Sequence, residues 1–294
     1  QGVSSAASDV YKRQVLPSTI PPDICDQITA DAARFLEAQG REIAGLGVPV
    51  EQIRINNLHV GSPAGLKAMT WPALVEVLDE LLGAEAIPHS TLTFMFGSQQ
   101  MIHRDGPYFA TAQEGAFVGV WIALEDVSAD AGPLVYIRGS HLLNISKNTS
   151  IPRSDWIRQY WSDVHHACVN AGLRQERLID LRKGDVAVWH GQLAHGGAPI
   201  IDPARSRRSF VVHYKAGRIP LCGPEQFFGE STFPAIDETL YVEVGDRLLT
   251  ENHYTSIDAG PPPEDQMKRI EHATPIPHEF AAAAESPPSA DESC

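Results

Sequence analysis

The feature that most constrains the folding of this 294-residue chain is a change of rhythm near residue 90. Before it, apolar residues recur at helical spacing. After it, they come in short β-rich runs broken by glycine, proline and aspartate. Asp23 to Gln39 reads as a helix, because Ile24, Ile28, Ala32 and Leu36 recur every four residues and Gly40 stands where a C-cap glycine belongs. Trp71 to Leu82 repeats the pattern, with Pro72 in the first turn and Gly83 past the end. Thr91 to Phe96 opens the β-rich part and is closed by Gly97-Ser98. Phe117 to Leu124, Leu134 to Ile137 and Ser209 to Tyr214 read as further strands. Leu178 to Leu181 and Val186 to Trp189 flank Lys183-Gly184-Asp185, which predicts a tight hairpin turn. Helices followed by many short strands bury their apolar faces best in stacked sheets. The expected fold is therefore mainly β with flanking helices, a β-sandwich or jelly roll.

The ends of the chain read differently. Residues 1–14, QGVSSAASDVYKRQ, show no apolar periodicity and resemble a translated adaptor, so they carry no expectation of fold. From residue 259 to 294 proline, alanine and acidic residues dominate, a disordered-tail composition. One domain over 15–258 is expected between them, with a helical insertion near 154–171, rich in Trp and His, that could cover a site.

Charge and cysteine usage exclude several classes. Lys and Arg number 23 against 37 Asp and Glu, a formal net charge of −14, which disfavours phosphate backbones and anionic lipid as partners. Cys25, Cys168, Cys222 and Cys294 are scattered without CxxC spacing, so zinc and iron–sulfur sites have little support and a reducing, cytoplasmic setting is expected. No stretch approaches the ~20 apolar residues of a membrane span, and no signal peptide is recognisable.

The chemistry-bearing segment is Gly97-Ser-Gln-Gln-Met-Ile-His103-Arg104-Asp105-Gly106. On an extended strand residues i and i+2 face the same way, so His103 and Asp105 project together while Arg104 points away. An imidazole and a carboxylate on one side of a strand are two-thirds of a facial triad, which leaves metal positions open for a chelating ligand and for O2. A distal histidine must complete it. The segment from Gly184 to Gly197 offers two, His190 at a strand end and His195 beside a glycine pair, and spacing alone does not choose. Arg207 and Arg208 then lead the next strand, and a guanidinium there can bind a carboxylate bidentately. Alternation lets only one of the two face inward.

Taken together, GSQQMIHRDGPYF (97–109), VGVWIALEDVSADAGPLVYIRGSH (118–141), GDVAVWHGQLAHGG (184–197) and RRSFVVHY (207–214) resemble the phytanoyl-CoA dioxygenase family in order and spacing. The resemblance implies a double-stranded β-helix, a cupin-like jelly roll, holding Fe(II) and using 2-oxoglutarate and O2 as co-substrates. By motif position it implies that His103, Asp105 and His195 bind iron and that His190 does not. Arg207 takes the 2-oxoglutarate position, with Arg208 as the alternative if the register slips. Trp121 would pack near the co-substrate, and Tyr108 and Phe109 would line the substrate side. The family often carries serine after the His-Gly pair; here it is Gly197, so another hydroxyl, Thr93 for example, or a water would have to serve. Arg138 replaces a usual proline before Gly139-Ser140-His141. The implied reaction is hydroxylation of a small molecule's C–H bond with conversion of 2-oxoglutarate to succinate and CO2. Desaturation, cyclisation and epimerisation are alternatives at the same site, and a non-catalytic jelly-roll sensor is the rival from another class. The carboxylate at position 105 argues against halogenation, which needs that coordination site for halide.

Overall fold

The computed structural model describes residues 14–46, 53–253, 255–259 and 268–270. In chain order its elements are β1 (Gln14–Leu16), α1 (Pro22–Ala38), α2 (Gly40–Leu46), β2 (Ile53–Asn56), α3 (Pro63–Met69), α4 (Pro72–Leu82), β3 (Ala86–Phe94), β4 (Phe117–Ala123) and β5 (Leu134–Ile137). There follow α5 (Trp156–Asn170), β6 (Gln175–Arg177), β7 (Val186–His190), β8 (His195–Gly197), β9 (Ser209–Ala216), α6 (Pro224–Phe228), β10 (Tyr241–Val244), β11 (Arg247–Thr250), β12 (Ser256–Ala259) and β13 (Lys268–Ile270). An eight-stranded sheet in the order β1-β7-β4-β9-β3-β2-β12-β13 stacks on a three-stranded sheet β6-β5-β8, all pairs antiparallel. This is a jelly roll.

The large sheet is covered on both faces, which explains why β4, β7 and β9 are buried along their whole length rather than alternately. Its outer face carries Val118, Val120, Ile122, Phe210 and Val212 and packs against Ile24, Ile28, Ala68 and Leu74 of α1, α3 and α4. Its inner face carries Phe94, Trp121, Ala187, Trp189 and Val211, which meet Tyr136 of the small sheet and Leu178, Leu181 and Leu193. Gly119 of β4 makes room for the indole of its cross-strand partner Trp189: a Cβ there would lie 2.3 Å from that ring.

Three expectations change. The turn at Lys183-Gly184-Asp185 exists, with Asp185 N donating to Arg182 O over 3.0 Å, but it does not close a hairpin. Leu178 to Leu181 is no strand; its leucines are buried in the inner cluster as the chain crosses from β6 to β7, which pairs with β1 and β4. Gln14, set aside with the N-terminal segment, pairs with Val188, and residues 1–13 lie outside the described residues. Within the expected tail, Lys268–Ile270 pairs with β12; residues 260–267 and 271–294 lie outside the described residues. No described helix is long and apolar enough to cross a membrane.

Candidate metal centre

The HxD segment and the start of β8 lie side by side. His103 N donates to His195 O over 2.9 Å and His195 N to His103 O over 3.0 Å, an isolated antiparallel bridge that fixes the two imidazoles 4.3 Å apart between centroids. Each ring donates its Nδ1–H to a nearby carbonyl, His103 to Met101 O over 2.8 Å and His195 to Leu193 O over 2.9 Å. That tautomer leaves both Nε2 lone pairs free, and both nitrogens point at Asp105 Oδ1, each 3.6 Å away. The other carboxylate oxygen, Oδ2, accepts from Trp189 Nε1 over 3.0 Å, so Oδ1 alone is left to the centre. All three side chains are buried, and their donor atoms lie within 4.8 Å of one another. Donors bound at about 2.1 Å and at right angles stand roughly 3.0 Å apart, so the set fits a small divalent cation after a modest contraction. His190 is not among them; its Nδ1 accepts from Gln192 N over 3.0 Å, and its ring packs near His141.

Electrostatics suit metal binding. Desolvation drives His103 down to about 3, helped by His195, so it presents a neutral imidazole at neutral pH. Burial raises Asp105, but His195, His213, His103 and the Trp189 N–H outweigh it and hold the carboxyl below its usual range. The ligands are also held from outside. Trp161 of α5 lays its ring 5.2 Å from that of His103 and donates Nε1–H to Arg104 O over 3.2 Å, so the helical insertion covers the centre. Arg104 points away from the ligands as alternation requires, donating to Ser140 O, Leu143 O and Tyr160 Oη. Ser140 Oγ in turn accepts from Ala194 N over 2.8 Å, tying both ligand segments to one turn.

Arg208 turns out toward Glu125 at 3.8 Å, while Arg207, 3% exposed, lies on the inner face of the large sheet. Its guanidinium stands over the Phe94 and Trp121 rings at 5.7 and 5.5 Å and donates to Ser209 Oγ over 3.3 Å. No carboxylate among the described residues pairs with it, its Nε has no partner, and desolvation pulls it down to about 10. Trp121 Nε1 is likewise buried without a partner. A buried cation and an orphaned N–H on one wall are what an anionic co-substrate would satisfy.

Thr93 is misplaced by sequence reasoning. It pairs with Ile55 and Phe210, both packed in the outer, helix-facing cluster, so alternation turns its hydroxyl away from the inner face that carries Arg207. That hydroxyl is buried without a partner. Ser209, two residues after Arg207 and on the same face, is the hydroxyl beside the guanidinium; the i, i+2 rule applied to Arg207 would have found it. Nor could a serine stand at 197. A Cβ there would lie 2.6 Å from Gln99 N and 2.7 Å from Ser98 Oγ, whose hydroxyl occupies the place. Phe109 stacks on Phe117 at 4.7 Å and approaches His213 at 4.4 Å. Tyr108 is 46% exposed and lies against Trp161 at the surface. Trp189, Trp161 and His213 were not anticipated as neighbours of the centre.

The structure is thus a jelly roll with a buried His-Asp-His set able to hold a metal ion and, on the inner face of its large sheet, a buried arginine that no described carboxylate pairs with. The family model described as phytanoyl-CoA dioxygenase (PhyH) matches residues 14–209, and the chain belongs to this family. Phytanoyl-CoA dioxygenase domain-containing protein 1 of Mus musculus is 30% identical over 167 residues, covering 53% of this chain and 54% of that protein. The Danio rerio protein of the same description is 26% identical over 149 residues, 48% of each. The chain thus spans about half the length of the curated relatives it matches. Among solved structures, the non-heme alpha ketoglutarate dependent carbocyclase SnoK from nogalamycin biosynthesis superposes with a TM-score of 0.60 at 17% identity, over 84% of this chain and 97% of its own. The epimerase SnoN, in complex with Fe3+, alpha ketoglutarate and nogalamycin RO, gives 0.57 at 18% identity, over 83% and 95%. These likenesses establish the shared fold.

Proposed function

We propose that this chain is a non-haem Fe(II)- and 2-oxoglutarate-dependent oxygenase that hydroxylates a C–H bond of a small molecule. The carrying observation is the convergence of His103 Nε2, His195 Nε2 and Asp105 Oδ1, with both histidine Nδ1 atoms and Asp105 Oδ2 already committed elsewhere. When bound, iron with 2-oxoglutarate and O2 would supply the oxidant for the C–H bond, with succinate and CO2 released. The protein does the rest. Arg207 offers two N–H groups to the far carboxylate of 2-oxoglutarate, with Ser209 and the Trp121 N–H as further donors. Trp189 keeps Asp105 from rotating, and Trp161 shields the His103 side from water.

The jelly-roll neighbours described as a carbocyclase and an epimerase make ring closure and epimerisation the second reading, since substrate placement decides the outcome. Product mass separates them: one oxygen gained for hydroxylation, two hydrogens lost for ring closure or desaturation, no change for epimerisation. Anaerobic addition of Fe(II) and 2-oxoglutarate tests the proposal. A visible charge-transfer band is expected in the wild type and not in Asp105→Ala, and substrate-stimulated succinate formation in Asp105→Ala would overturn the assignment.

A further inference from the structure

Beside the metal-binding segment lies a cavity of about 510 Å³, within the range of small-molecule sites. Arg104 and Gly106, the two chain neighbours of Asp105, form its inner wall. Phe109, which touches His213 on the metal side, and Phe227 of α6 supply apolar surface. A Cβ at Gly106 would lie 2.8 Å from Gln192 Nε2 and 2.9 Å from the Phe227 ring, so the glycine lets both side chains pack against the chain next to the ligand Asp105.

Its charge is unusual for a chain of net charge −14. Arg104 is 3% exposed, and every acceptor it uses is neutral: Tyr160 Oη at 3.1 Å, Ser140 O at 2.5 Å and Leu143 O at 2.9 Å. No carboxylate among the described residues pairs with this guanidinium, and Nε has no partner. Lys147, across the cavity, holds its ammonium 3.9 Å over the Phe227 ring and forms no ion pair with a described residue. Glu114 is the carboxylate in the lining, so two cations, Arg104 buried and Lys147 exposed, share the cavity with one anion. A buried cation without a counter-ion is costly unless an anion arrives with the ligand. The same reasoning assigns a carboxylate to Arg207.

We propose that this cavity takes the acidic end of the compound oxidised at the metal centre. That compound is a small organic acid, its carboxylate near Arg104 and Lys147 and its apolar body against Phe109 and Phe227. This rests on the oxygenase reading above, and the experiment separates the two. The protein is loaded anaerobically with Fe(II) and saturating 2-oxoglutarate, which fills the Arg207 site; the charge-transfer band reports on that reading alone. Calorimetric titration then compares 1-naphthylacetate with 1-naphthylacetamide, equal in shape and differing in charge. The acid is expected to bind at least ~10-fold more tightly than the amide, the scale of one charge-assisted contact. Lys147→Glu and Lys147→Met, at an exposed position where folding tolerates change, are expected to remove most of that preference while amide binding holds. Equal affinities, heat from neither compound, or an acid preference undiminished in both variants would overturn the proposal even where the band forms normally.

Discussion

Trp189→Phe removes one hydrogen bond from the outer support of the metal centre. The indole Nε1 stands 3.0 Å from Asp105 Oδ2, and both residues are buried, so no water takes its place readily. A hydrogen bond to a charged group contributes about 1.5–3 kcal/mol, and about 1.4 kcal/mol is tenfold in affinity. Divalent metal affinity should therefore fall ~10- to 100-fold, the range seen for outer-shell partners elsewhere. The substitution also leaves a small void under Gly119, so a control is needed for packing. Trp121→Phe provides it: Trp121 is equally buried on the same inner face, yet its Nε1 has no partner. Calorimetric titration of Co(II) into both metal-free variants reads the difference. Trp189→Phe should bind Co(II) at least ~10-fold more weakly than Trp121→Phe, with similar melting temperatures. Equal affinities would refute the idea that the indole fixes Asp105.

Other consequences are as direct. Arg207→Met should raise the 2-oxoglutarate KM by ~100-fold through loss of paired charge-assisted bonds, without lowering the melting temperature of the co-substrate-free protein, because it removes a buried charge whose desolvation outweighs the attraction of Glu125; a destabilised variant with normal KM would contradict this. Thr93→Val should leave that KM unchanged and raise stability by about 1 kcal/mol, since it deletes a buried hydroxyl without a partner; a raised KM would return Thr93 to the inner face. Burial holds His59, His89 and His190 at about 4 in the folded chain, below the ordinary 6.5. Between those limits the unfolded chain binds more protons, so stability is full above pH ~6.5 and is lost as pH falls, by up to about 3 kcal/mol per histidine near pH 4. Urea denaturation of metal-free protein at several pH values measures this, and a flat profile, or a His59→Gln variant with an unchanged slope, would count against it.

What was legible in the sequence followed from local rules. His103 and Asp105 share a face because they are two apart in an extended segment, and the helices over 22–38 and 72–82 declared themselves by four-residue spacing. What was hidden depended on which face of a strand is inner. Both faces of β3 are covered, so polar and apolar residues do not mark a side, and Thr93 was assigned to the wrong one. Arg207 and Arg208 posed the same problem, settled by the pairing of β9 with β3 and β4. Leu178 and Leu181 looked like strand residues because burial, not sheet pairing, selects leucine there. The supports of the centre were unreadable for a different reason. Trp189 lies 84 residues from Asp105 and Trp161 lies 57 from Arg104, so only tertiary packing joins them.

The most direct measurement is a crystal structure of the protein grown without oxygen in Fe(II) and 2-oxoglutarate, with anomalous data collected at the iron edge. One strong peak within bonding distance of His103 Nε2, His195 Nε2 and Asp105 Oδ1, with the far carboxylate of 2-oxoglutarate on Arg207, is the expected result. Iron bound elsewhere, or 2-oxoglutarate remote from Arg207, would contradict the account.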